Sequence, residues 1–508
     1  MKISRYIFPL AILLMVCISC KETKSKKASS TLSKKLPNIV LIVADDMGYG
    51  DISALNPSAK LKTPHLDSLL KNGIHFTDAH ASSSVCTPSR YSILTGEYAW
   101  RSSLKRGVTW GYSQPIIPNE KETIASFLKK HGYETGFIGK WHLGLGWQAK
   151  KGITPPWETE THPSKYNGTD IDHAASLKSG PTTLGFDYFY GIPASLDMSP
   201  YCFIENNNVL DLPMHPIEAK ESEKIPGLTQ WKKGLASNNF SHGEVLTKLT
   251  DKAINYITEN TAKDVPYFLN FSLTAPHSPI LPSEKFMGSS EAGPYGDFVQ
   301  MVDAVVGKIT STIKNTKQVN NTIILFTSDN GAPLFYLNPE STHQPNYIYR
   351  GQKADIYEGG HRIPLLASWK GHFPENLKID SPAILMDIFA TVADIIEKPI
   401  PPNVAIDSKS FLPNLKGDST FVAHQDFLIH HSSRGFFAIR KDSLKLIDGL
   451  GSGGFTKPYK LKPEEGQPNF QVFNLKKDLE EENNLASEES KKQDSLLQIL
   501  RTFTKDGK

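Results

Sequence analysis

The chain has 508 residues, with 56 Lys plus Arg against 53 Asp plus Glu and a net charge of +3. That length exceeds what one core usually serves, so one large and one smaller domain are expected. The charge balance excludes nucleic-acid binding and general electrostatic capture of polyanions, so any anion recognition must be local.

Lys2 and Arg5 precede an apolar run from Ile7 to Ile18 that is too short for a comfortable membrane span, the pattern of an export signal over residues 1–19. Ile18-Ser19-Cys20 followed by Lys21-Glu22 resembles the end of a bacterial lipoprotein signal. This implies lipidation of Cys20 and anchorage in the cell envelope, at the outer membrane on its periplasmic or surface side. Simple cleavage, with a periplasmic or secreted product, is the alternative. Residues 20–36, rich in lysine and serine, form a polar tether with nothing to bury. With Cys17 removed and Cys20 lipidated, Cys86 and Cys202 remain, too few for a disulfide framework. A Cys86–Cys202 bridge would abolish any chemistry at Cys86.

The fold should begin near Pro37. Asn38 to Ala44 is a continuous β-branched run, as in a strand buried on both faces of a parallel sheet, and it ends in Asp45-Asp46. Thr63 as cap, Pro64 at the first helical position, Leu66, Leu69 and Leu70 on one face and Gly73 as stop predict a short helix. Ile124, Phe127 and Leu128 before Gly132 predict another, and Glu134 to Ile138 a strand delivering Lys140-Trp141-His142. Ser241 and Glu244 read as a capping box. Val245, Leu249, Ala253 and Ile257 line the helix behind it, and the strand Tyr267 to Leu273 leads to His277. A helix over about Asp297 to Ile313 precedes the strand Thr322 to Thr327, which ends in Ser328-Asp329-Asn330-Gly331. The candidate polar residues, Cys86 and Lys353 excepted, thus follow the carboxyl ends of apolar strands, the edge where open α/β sheets bind ligands. Past about Ile400 come four short strands (426–431, 435–440, 444–447, 470–475) and a closing amphipathic helix over 490–503, an α+β appendage. The glycine- and proline-rich segment Gly449 to Gln467 is either a solvated connection or a wall of the substrate pocket.

Asp45, Asp46, Asp329 and Asn330 offer only oxygen, which suits a hard divalent cation such as calcium better than zinc. An Asp pair alone is more often a turn or a cap. A second strand ending in Asp329-Asn330 favours the metal reading.

Cys86-Thr87-Pro88-Ser89-Arg90 resembles the maturation signature of type I sulfatases, cysteine-x-proline-x-arginine, in which the cysteine becomes formylglycine. From Pro37 to the C-terminus the pieces lie in the order expected of that family. Tyr98-Ala99-Trp100-Arg101, Ala194 to Tyr201 and Arg350 to Pro364 look most like bacterial carbohydrate sulfatases related to arylsulfatase A and N-acetylgalactosamine-6-sulfatases. The resemblance implies an α/β, alkaline-phosphatase-like core over residues 37–400, a large mixed, mostly parallel sheet between helices. Residues 401–508 are expected to form a smaller C-terminal α+β subdomain with a short antiparallel sheet.

The resemblance also implies one bound calcium on Asp45, Asp46, Asp329, Asn330 and the oxidised Cys86, with Arg90, Lys140, His142, His277 and Lys353 around the sulfate. The hydrated aldehyde at 86 would attack sulfur, His277 would protonate the departing sugar oxygen with Lys353 sharing its charge, and His142 would remove the proton that lets sulfate leave. The implied partners are a sulfated glycan, attacked from a chain end, and a formylglycine-generating maturation enzyme. Galactose or galactosamine sulfate, or an algal polysaccharide such as ulvan, is the expected substrate. Trp100, Arg101, Asp197 and Tyr201 are candidates for sugar contact. Two competing readings are a phosphatase or phosphonate hydrolase on the same core, and a non-catalytic glycan-binding lipoprotein.

Overall fold

The strand Asn38–Asp45 (β1) has every residue buried, and its side chains alternate cleanly between two cores. Ile39, Leu41 and Val43 join one cluster; Val40, Ile42 and Ala44 join the other. A strand apolar on both faces fits only the middle of a sheet covered on both sides. The computed structural model describes residues 1, 35–154, 166–263, 265–488 and 491–505, so the expected export signal and Cys20 lie outside the described residues.

β1 is central in a ten-stranded sheet. The other strands are Ile74–Phe76 (β2), Glu134–Lys140 (β3), Tyr188–Ile192 (β4), Ile204–Glu205 (β5), Asn208–Val209 (β6), Tyr267–Pro276 (β7), Thr322–Ser328 (β8), Leu365–Ser368 (β9) and Leu377–Ile379 (β10). Their order is β10-β2-β9-β8-β1-β7-β3-β4-β5-β6. The run β8-β1-β7-β3-β4 is parallel, and β9 is antiparallel to both of its neighbours. The large, mixed, mostly parallel sheet is therefore present. The helices Pro64–Lys71 (α1), Val245–Thr261 (α4) and Gly293–Asn315 (α5) cover one face; Cys86–Thr95 (α2) and Ile124–Lys130 (α3) contribute to the other.

Two local expectations are corrected. The Ser241–Glu244 box does not form: residues His242–Glu244 make a 3-10 turn, Ser241 makes no side-chain cap bond, and α4 starts at Val245. Thr63 stands at the α1 cap position, but its hydroxyl bonds Asp67 instead of capping the helix backbone.

At the C-terminus Leu428–His431 (β11), Phe437–Lys441 (β12), Leu444–Asp448 (β13) and Gln471–Asn474 (β14) form a four-stranded antiparallel sheet, with the helix Lys491–Lys505 (α6) packed on it. The other side meets the core through Ile356 and Tyr357, which pack with Ala438, Ile447 and Phe473. The described residues from Leu36 onward form one compact unit.

Candidate active site

The carboxyl ends of β1, β3, β7 and β8 converge on one buried cluster. β1 ends at Asp45, and Asp46 turns the chain with φ +66°; His142, two residues past β3, has φ +58°. Left-handed backbone is uncommon for residues other than glycine, though Asp and His tolerate it better than most. Both positions hold a side chain of this site, where such strain is typically found. Gly139 in β3 has φ +120°, and a Cβ there would lie 1.7 Å from the Ser272 carbonyl. Only glycine lets β3 press against β7 and present Lys140.

Cys86 is the first residue of α2, with Pro88 inside its first turn. The helix N-terminus therefore points at the thiol, favouring negative charge there. Cys86 and Cys202 are both free and buried, which removes the disulfide alternative. The Cys86 Sγ lies 3.8 Å from Asp45 Oδ1, and burial pushes its thiol up to about 12, so the unmodified residue is a neutral, weak nucleophile.

Three carboxylates face three cations. Lys140 Nζ donates to both Asp45 oxygens (2.8 and 2.7 Å), and Lys353 Nζ donates to Asp46 Oδ2 (2.7 Å). Arg90 donates through Nε to Asp329 Oδ2 (2.9 Å), with Nη2 2.7 Å from the same oxygen and 3.5 Å from Asp45. Burial alone would raise the Asp45 carboxyl, but Lys140, His277, Arg90 and Lys353 hold it well below the usual carboxylate range. Asp329 goes the other way, to about 6, because burial and the adjacent Asp45 and Asp46 charges outweigh Arg90 and Lys140. A cation among these carboxylates would cancel that repulsion.

The donor set fits such a cation. The Asn330 amide donates to Asp46 Oδ1 (2.7 Å), while its Oδ1 is buried without a hydrogen-bond partner among the described residues. A buried carbonyl oxygen beside three carboxylates calls for a cation. Ligand atoms of Asp45, Asp46, Cys86 and His277 lie within 4.8 Å of one another. Asp45, Asp46, Asp329 and Asn330 would hold a hard divalent ion, with position 86 beside it. Three acids and three cations balance, so such an ion would leave two positive charges in excess, suited to an anionic ester.

His142 Nε2 donates to the Thr109 carbonyl (2.8 Å), and its Nδ1 is buried with no partner among the described residues. The proton therefore sits on Nε2 and the lone pair on Nδ1. Burial, Lys140 and Arg90 hold the imidazole well below its ordinary value, leaving it a neutral base. Hydroxyls of Thr87 and Thr109 both donate to the His142 carbonyl (2.9 Å each), fixing the turn. His277 Nδ1 donates to the Ser278 carbonyl (2.6 Å), and Nε2 is 3.6 Å from Asp46 Oδ2. Burial and Lys353 press its value down, while Asp46 and Asp45 pull the other way.

The sugar-contact candidates separate. Trp100 is buried in an aromatic stack with Tyr98 and Phe437 under the C-terminal sheet. Arg101 is clamped in two 2.7 Å bonds to Asp407, with its guanidinium over Phe503. Neither is brought to the cluster. Asp197 is: Lys232 binds its Oδ2 (2.5 Å), its Oδ1 is buried without a partner among the described residues, and against burial the charges of Lys232, His277 and Lys353 lower its value. Tyr201 is buried behind it, its hydroxyl between the Asp197 and Lys232 carbonyls (3.0 and 2.6 Å). Sequence reasoning missed Tyr336, whose hydroxyl reaches Asp46 Oδ2 (3.3 Å), and Thr109 and Lys232. No motif or spacing marks these three; they arrive by folding.

A family model described as Sulfatase matches residues 37–397. The chain belongs to the sulfatase family. This sulfatase, a sulfuric ester hydrolase, is 32% identical to the N-acetylgalactosamine-6-O-sulfatase of Bacteroides thetaiotaomicron, with 98% of each chain covered. Human arylsulfatase A is 31% identical, over 80% of this sulfatase and 74% of the relative. Among solved structures, a 6S-sulfatase from work on the metabolism of multiple glycosaminoglycans by Bacteroides thetaiotaomicron superposes with a TM-score of 0.79 at 29% identity, covering 93% of this sulfatase and 100% of that chain. A Pseudoalteromonas sulfatase shares the fold with a TM-score of 0.69 at 23% identity, covering 93% and 91%.

Proposed function

We propose that this sulfatase is an exported, envelope-anchored enzyme that removes 6-O-sulfate from galactose or N-acetylgalactosamine units at the end of a sulfated glycan, using formylglycine made from Cys86 and a bound calcium ion. The observation that carries the chemistry is the setting of Cys86. It lies at a helix N-terminus among three buried cations, with Asn330 Oδ1 and His142 Nδ1 without a partner among the described residues in the same cluster. Support for the sugar comes from the N-acetylgalactosamine-6-O-sulfatase relative and from the glycosaminoglycan context of the superposing 6S-sulfatase. Export and lipidation rest on residues 1–20 of the sequence, and a domain boundary near 400 on the change of pattern there.

Oxidised and hydrated, position 86 supplies one hydroxyl for attack on sulfur and a second for release of sulfate; calcium, when bound, supplies positive charge beside it. The remaining roles belong to side chains seen here. Arg90 and Lys140 hold anionic oxygens near position 86 and keep Asp45 ionised. His142 accepts a proton at Nδ1, the atom left open by the Thr109 bond. His277, with its Nδ1–H held by the Ser278 carbonyl, takes up a proton from solvent at Nε2 beside Asp46 and delivers that proton to the departing sugar oxygen, and Lys353, tied to Asp46, faces the same charge. Asp197, with one oxygen free, accepts from a sugar hydroxyl.

The test is sulfate release from regiodefined sulfated mono- and disaccharides by protein co-expressed with a maturation enzyme, with Cys86→Ala as control. Release from the 6-sulfated sugars, lost in the control, is the expected result. Aldehyde at position 86 by mass spectrometry without release from any sugar would overturn the substrate; absence of the aldehyde would overturn the nucleophile.

A further inference from the structure

Two phenylalanines stand exposed beside the cluster. Phe335 is 49% and Phe455 42% exposed, and their rings lie 5.8 Å apart at 60°. The exposed pair offers an apolar contact surface. Both are fixed to site residues. Phe335 precedes Tyr336, which is buried with its hydroxyl on Asp46 and its ring 6.2 Å from that of His277. Phe455 belongs to the glycine-rich segment left open above as connection or pocket wall. Its amide and that of Thr456 donate to Asp355 Oδ1 (2.7 and 3.0 Å), and the Thr456 hydroxyl donates to Asp355 Oδ2 (2.5 Å). Gln352 joins the two sides, accepting from the Leu334 amide (2.8 Å) and donating to Thr456 Oγ1 (3.1 Å). The segment 352–355 that carries Lys353 therefore holds both rings in place.

The position has a chemical meaning. Charge develops on the leaving oxygen as the sulfur–oxygen bond breaks, and His277 and Lys353 face that oxygen. The rest of the glycan remains attached to the leaving sugar, so it must run outward past these two residues. Phe335 and Phe455, uncharged and apolar, are exposed on the segments that carry Tyr336 and adjoin Lys353. A pyranose ring offers an apolar C–H face that packs on an aromatic ring, with its hydroxyls left at the edge for water. We propose that Phe335 and Phe455 form a platform for the sugar unit adjoining the sulfated one, so that the enzyme selects an oligosaccharide over a free sulfated monosaccharide. This rests on the carbohydrate sulfatase reading above.

The experiment compares Phe335→Ala, Phe455→Ala and the double variant on two substrates: a trisaccharide ending in 6-O-sulfated N-acetylgalactosamine, and the free 6-sulfated monosaccharide. The preference for the trisaccharide, as a ratio of kcat/KM values, should fall about tenfold in the double variant, through KM, as expected for losing part of the burial of two aromatic rings. Phe335→Trp should restore most of it. Val265→Ala, an exposed apolar truncation at the opposite end of β7, is the control and should leave the ratio as it is. Equal losses on both substrates, or no loss on the trisaccharide, would overturn the platform. If matured wild-type protein releases no sulfate from either sugar, the functional reading fails separately. Calorimetric binding of the desulfated trisaccharide then decides the platform: binding weakened in the double variant supports it, and binding equal to wild type, or none, overturns it.

Discussion

Lys140 and Lys445 are both fully buried, and each is pinned by two carboxylate oxygens. Lys140 meets both oxygens of Asp45 at 2.8 and 2.7 Å; Lys445 meets Glu358 at 2.9 Å and Glu481 at 2.8 Å. Burial and ion pairing alone would rank them equally. Their surroundings differ. Around Lys140 lie a base nitrogen and a carbonyl oxygen with open valence, at strand ends where a ligand can enter. Around Lys445 the partners are other parts of the protein: Glu358 also receives Arg362 (3.1 Å), and Glu481 Oε2 accepts the Glu358 amide (2.6 Å). Asp78 nearby is shared by Arg362 and Arg440. This second network fastens β12, β13 and residue 481 to the core. It includes His80, His361 and His430, near enough for a metal, but the rings of His361 and His430 stack at 3.9 Å and 8°. In-plane lone pairs of parallel stacked rings do not converge on one ion. Place in the fold separates the two lysines: Lys140 stands at the strand ends beside Cys86 and the Asp45, Asp46, Asp329 and Asn330 group, while Lys445 ties the C-terminal sheet to the core, where His430 too is buried without a hydrogen-bond partner among the described residues.

Exchanging each lysine for methionine is the strongest way to break this comparison. Lys140→Met is expected to lower kcat about 10³-fold, as loss of a preorganised charge at a reacting anion does, while the protein stays folded in calcium. Lys445→Met leaves Glu358 and Glu481 short of a buried partner and should cost about 3–5 kcal/mol in urea unfolding. An unfolded Lys140→Met beside an unaffected Lys445→Met would invert the distinction.

Calcium sharpens it further. An ion bound only by the folded state at about 100 times its Kd adds about 2.7 kcal/mol. Thermal unfolding of the wild type should rise with calcium and fall with chelator, together with activity. Asn330→Ala should lose most of that response, whereas Glu481→Gln, in the other network, should keep it.

A last effect concerns pH. Burial and Glu358, against Lys445, push Glu481 from 4.5 to about 7. A carboxyl raised on folding keeps its proton longer in the native state, so it contributes stability below its unfolded value and loses it as pH rises toward 7. Denaturant midpoints of Glu481→Gln relative to wild type should therefore shift in favour of the variant between about pH 5 and about pH 8. A constant difference would show that Lys445 alone sets the charge of Glu481.

Much of this was legible in the chain. The strand ending in Asp45-Asp46, the one ending in Asp329-Asn330 and the Cys86–Arg90 string each carry their own local pattern, so they stood out as candidates before any contact was known. Trp100 and Arg101 looked equally suggestive as sugar contacts, yet one is in an aromatic stack and the other in an ion pair with Asp407. An aromatic or a basic residue reads alike in sequence whether its partner is a ligand or a residue 306 positions away. The capping box at Ser241 failed for a related reason: the intervening residues took a 3-10 turn, and α4 began one residue after Glu244.

By itself the sequence determined the buried strands, the family and the residue types at their ends, because hydrophobic periodicity and short motifs are local properties of the chain. Which nitrogen of His142 is free, which oxygen of Asn330 lacks a partner, and which buried lysine is structural were decided by the tertiary structure. Each depends on a hydrogen bond or an ion pair between segments far apart in sequence, and such partners exist only once the sheet has brought its strand ends together.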